Sequence, residues 1–191
     1  MKVRVIASLV TALCLSVGSA NASSIGVFFA ADGSSCTGTV ANFTQANYFV
    51  GAILGGDAAA AGITGAEFRL DGVNPGWFTT ATAGAGSNLA LGGPTTGGCN
   101  IAWPTCQTGS FVLLYSIVSF VTTGTPPPTT LSILKHTTPS NPNFLCPLVT
   151  LCDQSFTLLC VSGGQAFLNG GNCNVAVQQT SWSSVKSLYN N

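Results

Sequence analysis

The chain has 191 residues, only 5% of them charged, with five basic residues balanced by five acidic ones. An ordinary soluble protein carries about 25% charge, so this one offers no basic patch for nucleic acid and no polybasic stretch for docking on a membrane surface. At 46% hydrophobic residues it also has the apolar surface needed to offset the entropy of folding, which excludes a disordered chain.

Lys2 and Arg4 precede an apolar run from Val5 to Val17, and Gly18-Ser19-Ala20-Asn21-Ala22 ends in the small-x-small pattern of a signal-peptidase site. This predicts a secretory signal peptide over residues 1–22. The run is shorter than the roughly 20 residues that span a bilayer as a helix, so no membrane span is expected after cleavage. Cys14 lies inside the run behind Leu13, not at the cleavage point behind a small residue, which argues against lipidation. Loss of Lys2 and Arg4 leaves three basic residues against five acidic ones. The expectation is a mildly acidic protein that is secreted, extracellular or periplasmic.

Export favours paired cysteines. Cleavage removes Cys14 and leaves Cys36, Cys99, Cys106, Cys146, Cys152, Cys160 and Cys173 as disulfide candidates. The set is odd, so three bridges, each worth about 2–4 kcal/mol, leave one thiol over. Cys99 and Cys106 bracket a short segment with glycines before it and Pro104 near its end, and are expected to close a loop. Cys146 and Cys152 would lie about 20 Å apart in an extended chain, so they pair only if Pro147 starts a turn. Cys160 and Cys173 are expected to be held apart by a strand around Phe167. The remaining pairings are open.

From residue 23 the hydrophobic period is two. Strands are expected at residues 25–31, 46–54, 63–71, 87–91, 110–121, 129–136, 155–161, 165–168 and 173–177. Turn residues separate most of them, among them Asp32-Gly33, Gly55-Gly56-Asp57, Asn74-Pro75-Gly76 and Gly92-Gly93-Pro94. Many short strands at this spacing predict an all-β fold, an antiparallel β-sandwich stabilised by disulfides, as one domain over residues 23–178. The Ala-rich stretch from Asp57 to Ala61 suits one helical turn or a loop. In the tail, residues 179–191, Trp182, Val185, Leu188 and Tyr189 have helical spacing, and suit a short helix packed on the sandwich or a docking or sorting peptide.

In the stretch from Ile63 to Asp71, Ala66, Phe68 and Leu70 alternate with Glu67, Arg69 and Asp71. One face of this strand belongs to the core, and the other is expected as a row of surface charges. With Gly72 and Asn74-Pro75 behind it, the segment resembles a strand-and-turn signature of cohesin-like β-sandwich modules: a small-residue start, Glu-Phe-x-Leu, an acidic residue and a Pro turn. The whole layout also resembles secreted β-sandwich proteins of environmental bacteria. The resemblance covers residues 63–75. It implies an immunoglobulin-like or cohesin-like sandwich that is not catalytic and binds a partner module through a sheet face. It transfers no recognition residue, and the cysteines depart from the cohesin pattern.

The acid–base groups are Asp32, Asp57, Glu67, Asp71, Asp153 and His136. Glu67 and Asp71 would stand about 13 Å apart along a strand with Arg69 between them, which suits a charge row better than a catalytic pair. His136 ends a strand without a partner, and no Gly-x-Ser-x-Gly elbow occurs. No catalytic residue and no cofactor are therefore expected. Metal motifs such as Cys-x-x-Cys and His-Glu-x-x-His are missing; a calcium ion at Asp32 or Asp57 with loop carbonyls is the one arrangement left open. Trp77 and Trp103 sit near turns and suit either sugar stacking or the ends of a core. Asn42-Phe43-Thr44 is a glycosylation sequon in a host that uses one.

These readings favour a non-catalytic exported structural or protein-interaction module of the cell surface or extracellular matrix. The alternatives are a carbohydrate-binding module using Trp77 and Trp103, and a small outer-membrane β-barrel. The expected partner is a protein or a glycan at the surface, with self-association favoured by the low charge.

Overall fold

A computed structural model describes residues 22–122, 124 and 126–173. The expected signal peptide up to residue 21, the strand expected beyond Cys173 and the tail at 179–191 lie outside these residues. The described elements run β1 (Ser24–Phe28), β2 (Thr37–Gly38), β3 (Gln45–Ile53), α1 (Gly56–Ala61), β4 (Ile63–Asp71), β5 (Phe78–Ala83), β6 (Leu89–Gly93) and β7 (Gly98–Gln107). They continue with β8 (Phe111–Phe120), β9 (Thr129–Leu134), β10 (Leu148–Leu151), β11 (Leu158–Cys160), β12 (Ser162–Gly163) and β13 (Gln165–Leu168).

Two sheets face each other. The first has the order β12-β1-β3-β8-β5, and the second runs β11-β10-β4-β9-β13-β2, with β7 also on β4 and β6 on β7. The sandwich is thus observed, with both sheets mixed: β1 with β12 and β13 with β2 are parallel, the other pairs antiparallel. The sheets do not close into a barrel, which corrects the outer-membrane barrel alternative. Among the described residues no helix is long and apolar enough to cross a membrane.

The core forms where the period-two pattern puts its apolar side chains. Val27 of β1, Val50 of β3, Phe68 of β4 and Leu114 of β8 are fully buried between the sheets. One polar group enters this core at Ser119, also fully buried, whose hydroxyl bonds the Tyr48 hydroxyl and, at 2.8 Å, the Thr79 hydroxyl. A buried hydroxyl left unpaired costs about 1–3 kcal/mol, and these three satisfy one another across β3, β8 and β5. α1 is a single turn over the Ala-rich stretch, with Asp57 in its first turn.

The segment from Cys99 to Cys106 is not a disulfide-closed loop. It lies inside β7, where Cys99, Ile101 and Trp103 are buried in alternation with Asn100 and Ala102. A seven-residue step along a strand covers about 23 Å, so Cys99 and Cys106 cannot bond each other. Pro104 is accommodated because the β4–β7 register slips there: Ile63 faces Gln107 while Gly65 faces Ala102, and prolines are tolerated at such bulges. The bridges are Cys36 to Cys173, Cys106 to Cys152 and Cys146 to Cys160, with Cα separations of 5.8, 5.8 and 5.7 Å. Cys99 is the candidate that drops out, as a free buried thiol.

The edge of β4 opposite β7 positions the site. Residues 63–67 of β4 pair with β10, and residues 69–71 pair with β9. The two registers run on in one line, Glu67 facing Leu148 and Arg69 facing Leu134. β9 and β10 therefore act as one strand, interrupted by an excursion over residues 135–147.

Candidate functional site

The excursion folds back over the outer face of β4. Phe68 points into the core, so Glu67 beside it points out, as the alternation predicted. It does not reach water, however: Glu67 is 4% exposed. Thr137 anchors the excursion on the β7 side, donating from its amide and its hydroxyl to the Gly97 carbonyl at 2.9 and 2.7 Å. The His136 ring lies against Gly98, which has φ 127° and whose Cα direction admits no side chain: a Cβ there would stand 2.4 Å from His136 Cδ2. Ser140 then passes over Glu67, and its amide donates to both carboxylate oxygens at 3.2 and 3.0 Å. The Cys146–Cys160 bridge fixes the return of the excursion beside β10.

The charge row expected on β4 is corrected accordingly. Arg69 and Asp71 form an ion pair at 3.8 Å near the surface, while Glu67 is a buried carboxylate. Leu148, opposite it on β10, is 1% exposed although it belongs to the outer face. A small second layer of burial thus lies outside the sandwich, under the excursion.

Next to this layer the sheet is hollowed. In register, Leu158, Thr150, Gly65, Ala102 and Leu89 form one row across β11, β10, β4, β7 and β6. Cys160, Leu148, Glu67, Asn100 and Leu91 form the next. Facing positions on adjacent strands project from the same side of the sheet. The small residues Gly65 and Ala102 make the floor of a depression, Leu158 and Leu89 its walls, and Glu67 with Ser140 one end; it encloses about 200 Å3. A Cβ on Gly65 would stand 3.4 Å from Thr150 Oγ1 and would raise that floor. At the rim Leu89 and Leu91 are 45% and 55% exposed.

The other predicted residues are scattered. Trp77 and Trp103 are 8% and 3% exposed and belong to the core; the Trp103 indole donates to the Ala85 carbonyl at 3.1 Å. Neither ring is presented for stacking, which corrects their use as ligand platforms. Asp32 accepts from the Ser34 amide at 3.0 Å in a turn, and the Ser34 hydroxyl together with that amide holds its carboxyl below the usual range. Asp153 likewise is held low by the Thr157 hydroxyl and amide. Asp57 stands on α1, remote in sequence and element from either. Among the described residues no group of three or more His, Cys, Asp or Glu side chains could hold a metal ion. His136 Nδ1 accepts from the Thr138 amide at 3.0 Å, a local turn contact.

The Cys99 thiol lies under the site on the core side. Burial pushes it from the ordinary 9.0 up to about 12, and the charge of Glu67 adds in the same direction. Burial also raises Tyr115, and the neighbouring Cys99 thiol raises it further. Both groups are neutral at any ordinary pH, so neither is an activated nucleophile or base.

Sequence reasoning placed Glu67 on the correct face and missed its cover. The excursion, with Pro139 and Pro142, carries the signals of an ordinary connection, and nothing local says which face it crosses.

These features define a disulfide-bonded, two-sheet β-sandwich with a grooved outer face. No protein-family model matches the chain. No curated protein matches it either. Among solved structures it is similar to the sixth cohesin of scaffoldin B from Acetivibrio cellulolyticus, determined in complex with a Cel5 dockerin mutant. That match has 13% identity, covers 78% of this chain and 99% of that one, and has a TM-score of 0.49. The type III cohesin of the ScaE cell-surface anchoring scaffoldin of Ruminococcus flavefaciens is similar at 14% identity, 83% and 93% coverage and a TM-score of 0.44. BcpA, the major pilin subunit of Bacillus cereus, matches at 11% identity over 76% of this chain and 39% of that one, with a TM-score of 0.40.

Proposed function

We propose that this chain is a non-catalytic exported protein-interaction module of the cell surface or extracellular matrix, and that its partner docks on the face made by β11, β10, β4, β7 and β6. The observation that carries this reading is the hollowed row across that face, with Leu89 and Leu91 exposed at its rim. Two of the three bridges, Cys106–Cys152 and Cys146–Cys160, tie down the strands and the excursion that border it. A surface held rigid in advance loses less entropy when it binds. The signal-peptide pattern of residues 1–22 and the three disulfides both favour an oxidising compartment outside the cytoplasm.

The test is site-specific photo-crosslinking in the source organism, with a benzophenone side chain at Leu91 and a control at Thr82 on β5 of the opposite sheet. The expected result is a discrete adduct with one protein from Leu91 and none from Thr82. Equal or absent crosslinking at both positions overturns the docking face.

A further inference from the structure

We propose that the depression over Gly65 is a receptor for one alkylammonium group, the lysine side chain of a docking partner, with Glu67 as its counter-ion. This inference rests on the protein-interaction reading above and specifies the chemistry of its central contact.

Glu67 lines one end of the depression. The residue is 4% exposed, yet among the described residues the one hydrogen-bond donor its carboxylate meets is the Ser140 amide, shared between its two oxygens. An ionised carboxylate has room for about four donors, and a buried one is expensive unless it is paired and hydrogen-bonded. No basic side chain among the described residues supplies the missing cation. The one ion pair among the described residues joins Arg69 to Asp71, and Glu67 has none. A buried charge short of donors at the end of an open depression is arranged for a cation from outside.

The lining selects the kind of cation. The walls Leu89, Leu148 and Leu158 are aliphatic and the floor of Gly65 and Ala102 is flat and small, so a flexible apolar stem lies along the row with its head at Glu67. The polar atoms added by Thr150 and Asn100 offer oxygens that accept from an ammonium group. Among the described residues no basic side chain lines the depression, and its volume of about 200 Å3 takes a lysine side chain beyond its Cβ. The exposed Leu89 and Leu91 then meet the partner backbone around it. A buried anchor ringed by apolar contacts that exclude water is the usual form of a strong interface contact.

The probe is n-butylammonium, with n-butanol as its neutral counterpart, titrated into the protein with all three disulfides intact and followed by the NMR shifts of the Gly65 and Ser140 amides. The proposal expects saturable shifts at both amides with butylammonium, and binding weaker by about tenfold or more with butanol or in Glu67→Gln, which keeps the shape and an acceptor for Ser140. Ala102→Leu, which fills the floor and leaves Glu67 in place, is expected to abolish the shifts. A lysine-containing peptide is expected to bind, and the same peptide acetylated on the lysine is not. The proposal is overturned if butylammonium gives no saturable shift, if butanol binds equally, or if Glu67→Gln binds as the unchanged protein does. An adduct at Leu91 without butylammonium binding sinks this inference and leaves the interaction module standing. Butylammonium binding without an adduct leaves an ammonium-binding depression but overturns the docking face, and with it the partner lysine.

Discussion

The main-chain amide of Ser140 donates to both carboxylate oxygens of Glu67, at 3.2 and 3.0 Å, across a sequence separation of 73 residues. This contact closes the excursion over the outer face of β4 and buries a charge that the strand pattern directs to solvent.

Because that charge has no cationic partner within the described molecule, its burial opposes stability. Glu67→Gln keeps an oxygen for the Ser140 amide and removes the charge, so it is expected to stabilise the protein by about 1 kcal/mol while weakening ammonium binding, a trade common at functional sites. Glu67→Ala removes the acceptor as well and is expected to speed hydrogen exchange over residues 137–141. Urea unfolding and exchange measured by mass spectrometry check the two outcomes.

Asn169 closes the other end of the fold. It holds φ 56°, and its side chain accepts from the Val40 amide at 2.7 Å while donating to the Val40 and Pro126 carbonyls at 3.0 and 2.9 Å. Asn169→Ala loses all three bonds and places an alanine in the left-handed region, for an expected loss of about 3 kcal/mol or more. Asn169→Gly relieves only the backbone part and is expected to be about 1 kcal/mol less damaging. Equal losses in thermal unfolding would remove the conformational share.

The three bridges differ in the length of chain they close. Sequence separations are 137 for Cys36–Cys173, 46 for Cys106–Cys152 and 14 for Cys146–Cys160. On the chain-entropy account the first is worth about 5 kcal/mol and the last about 3. Paired Cys→Ala variants are expected to lose stability in that order, read as unfolding free energies from urea titrations with the slope fitted for each variant, since the unlinked denatured chain is more expanded. Peptide mapping without reduction is expected to return these three pairs and a Cys99 peptide with a free thiol.

Cys99 makes the fold sensitive to alkali. Its thiol titrates at about 12 in the folded protein against 9.0 as the ordinary value, so the folded state holds its proton more tightly. The associated stability is fully present below pH 9, is lost as pH rises from 9 and is gone above about 12. Tyr115, also raised, acts with the same sign. Urea midpoints measured from pH 8 to 10.5 are expected to fall, and to fall less steeply in Cys99→Ala. The same burial predicts that the folded protein does not react with a thiol reagent at pH 8 and reacts once unfolded.

Much of the sandwich is legible in the chain. The alternation of Ala66, Phe68 and Leu70 locates the core face of β4, and the turn residues that follow β3, β4 and β6 end those strands closely. The failures have physical causes. β7 shows the same alternation at Cys99, Ile101 and Trp103, but Pro104 and the preceding glycines suggest a loop until the register slip against β4 is seen. β5 is a Thr- and Ala-rich strand, mostly exposed, with no burial pattern of its own. It is a strand because β8 supplies a partner along its whole length.

Sparse charge, an apolar period of two, frequent turn residues and an odd set of seven cysteines after residue 22 are properties of the sequence alone. They determine an all-β, disulfide-bearing chain poor in acid–base groups, because periodicity and composition are local and additive. Which cysteines bond, and that Glu67 is covered while Asp71 is not, was decided by the tertiary structure. A disulfide requires Cα atoms within about 7 Å and a buried carboxylate requires a donor above it. Both conditions join residues that lie far apart along the chain and are met only when the sheets and the excursion between β9 and β10 take their places.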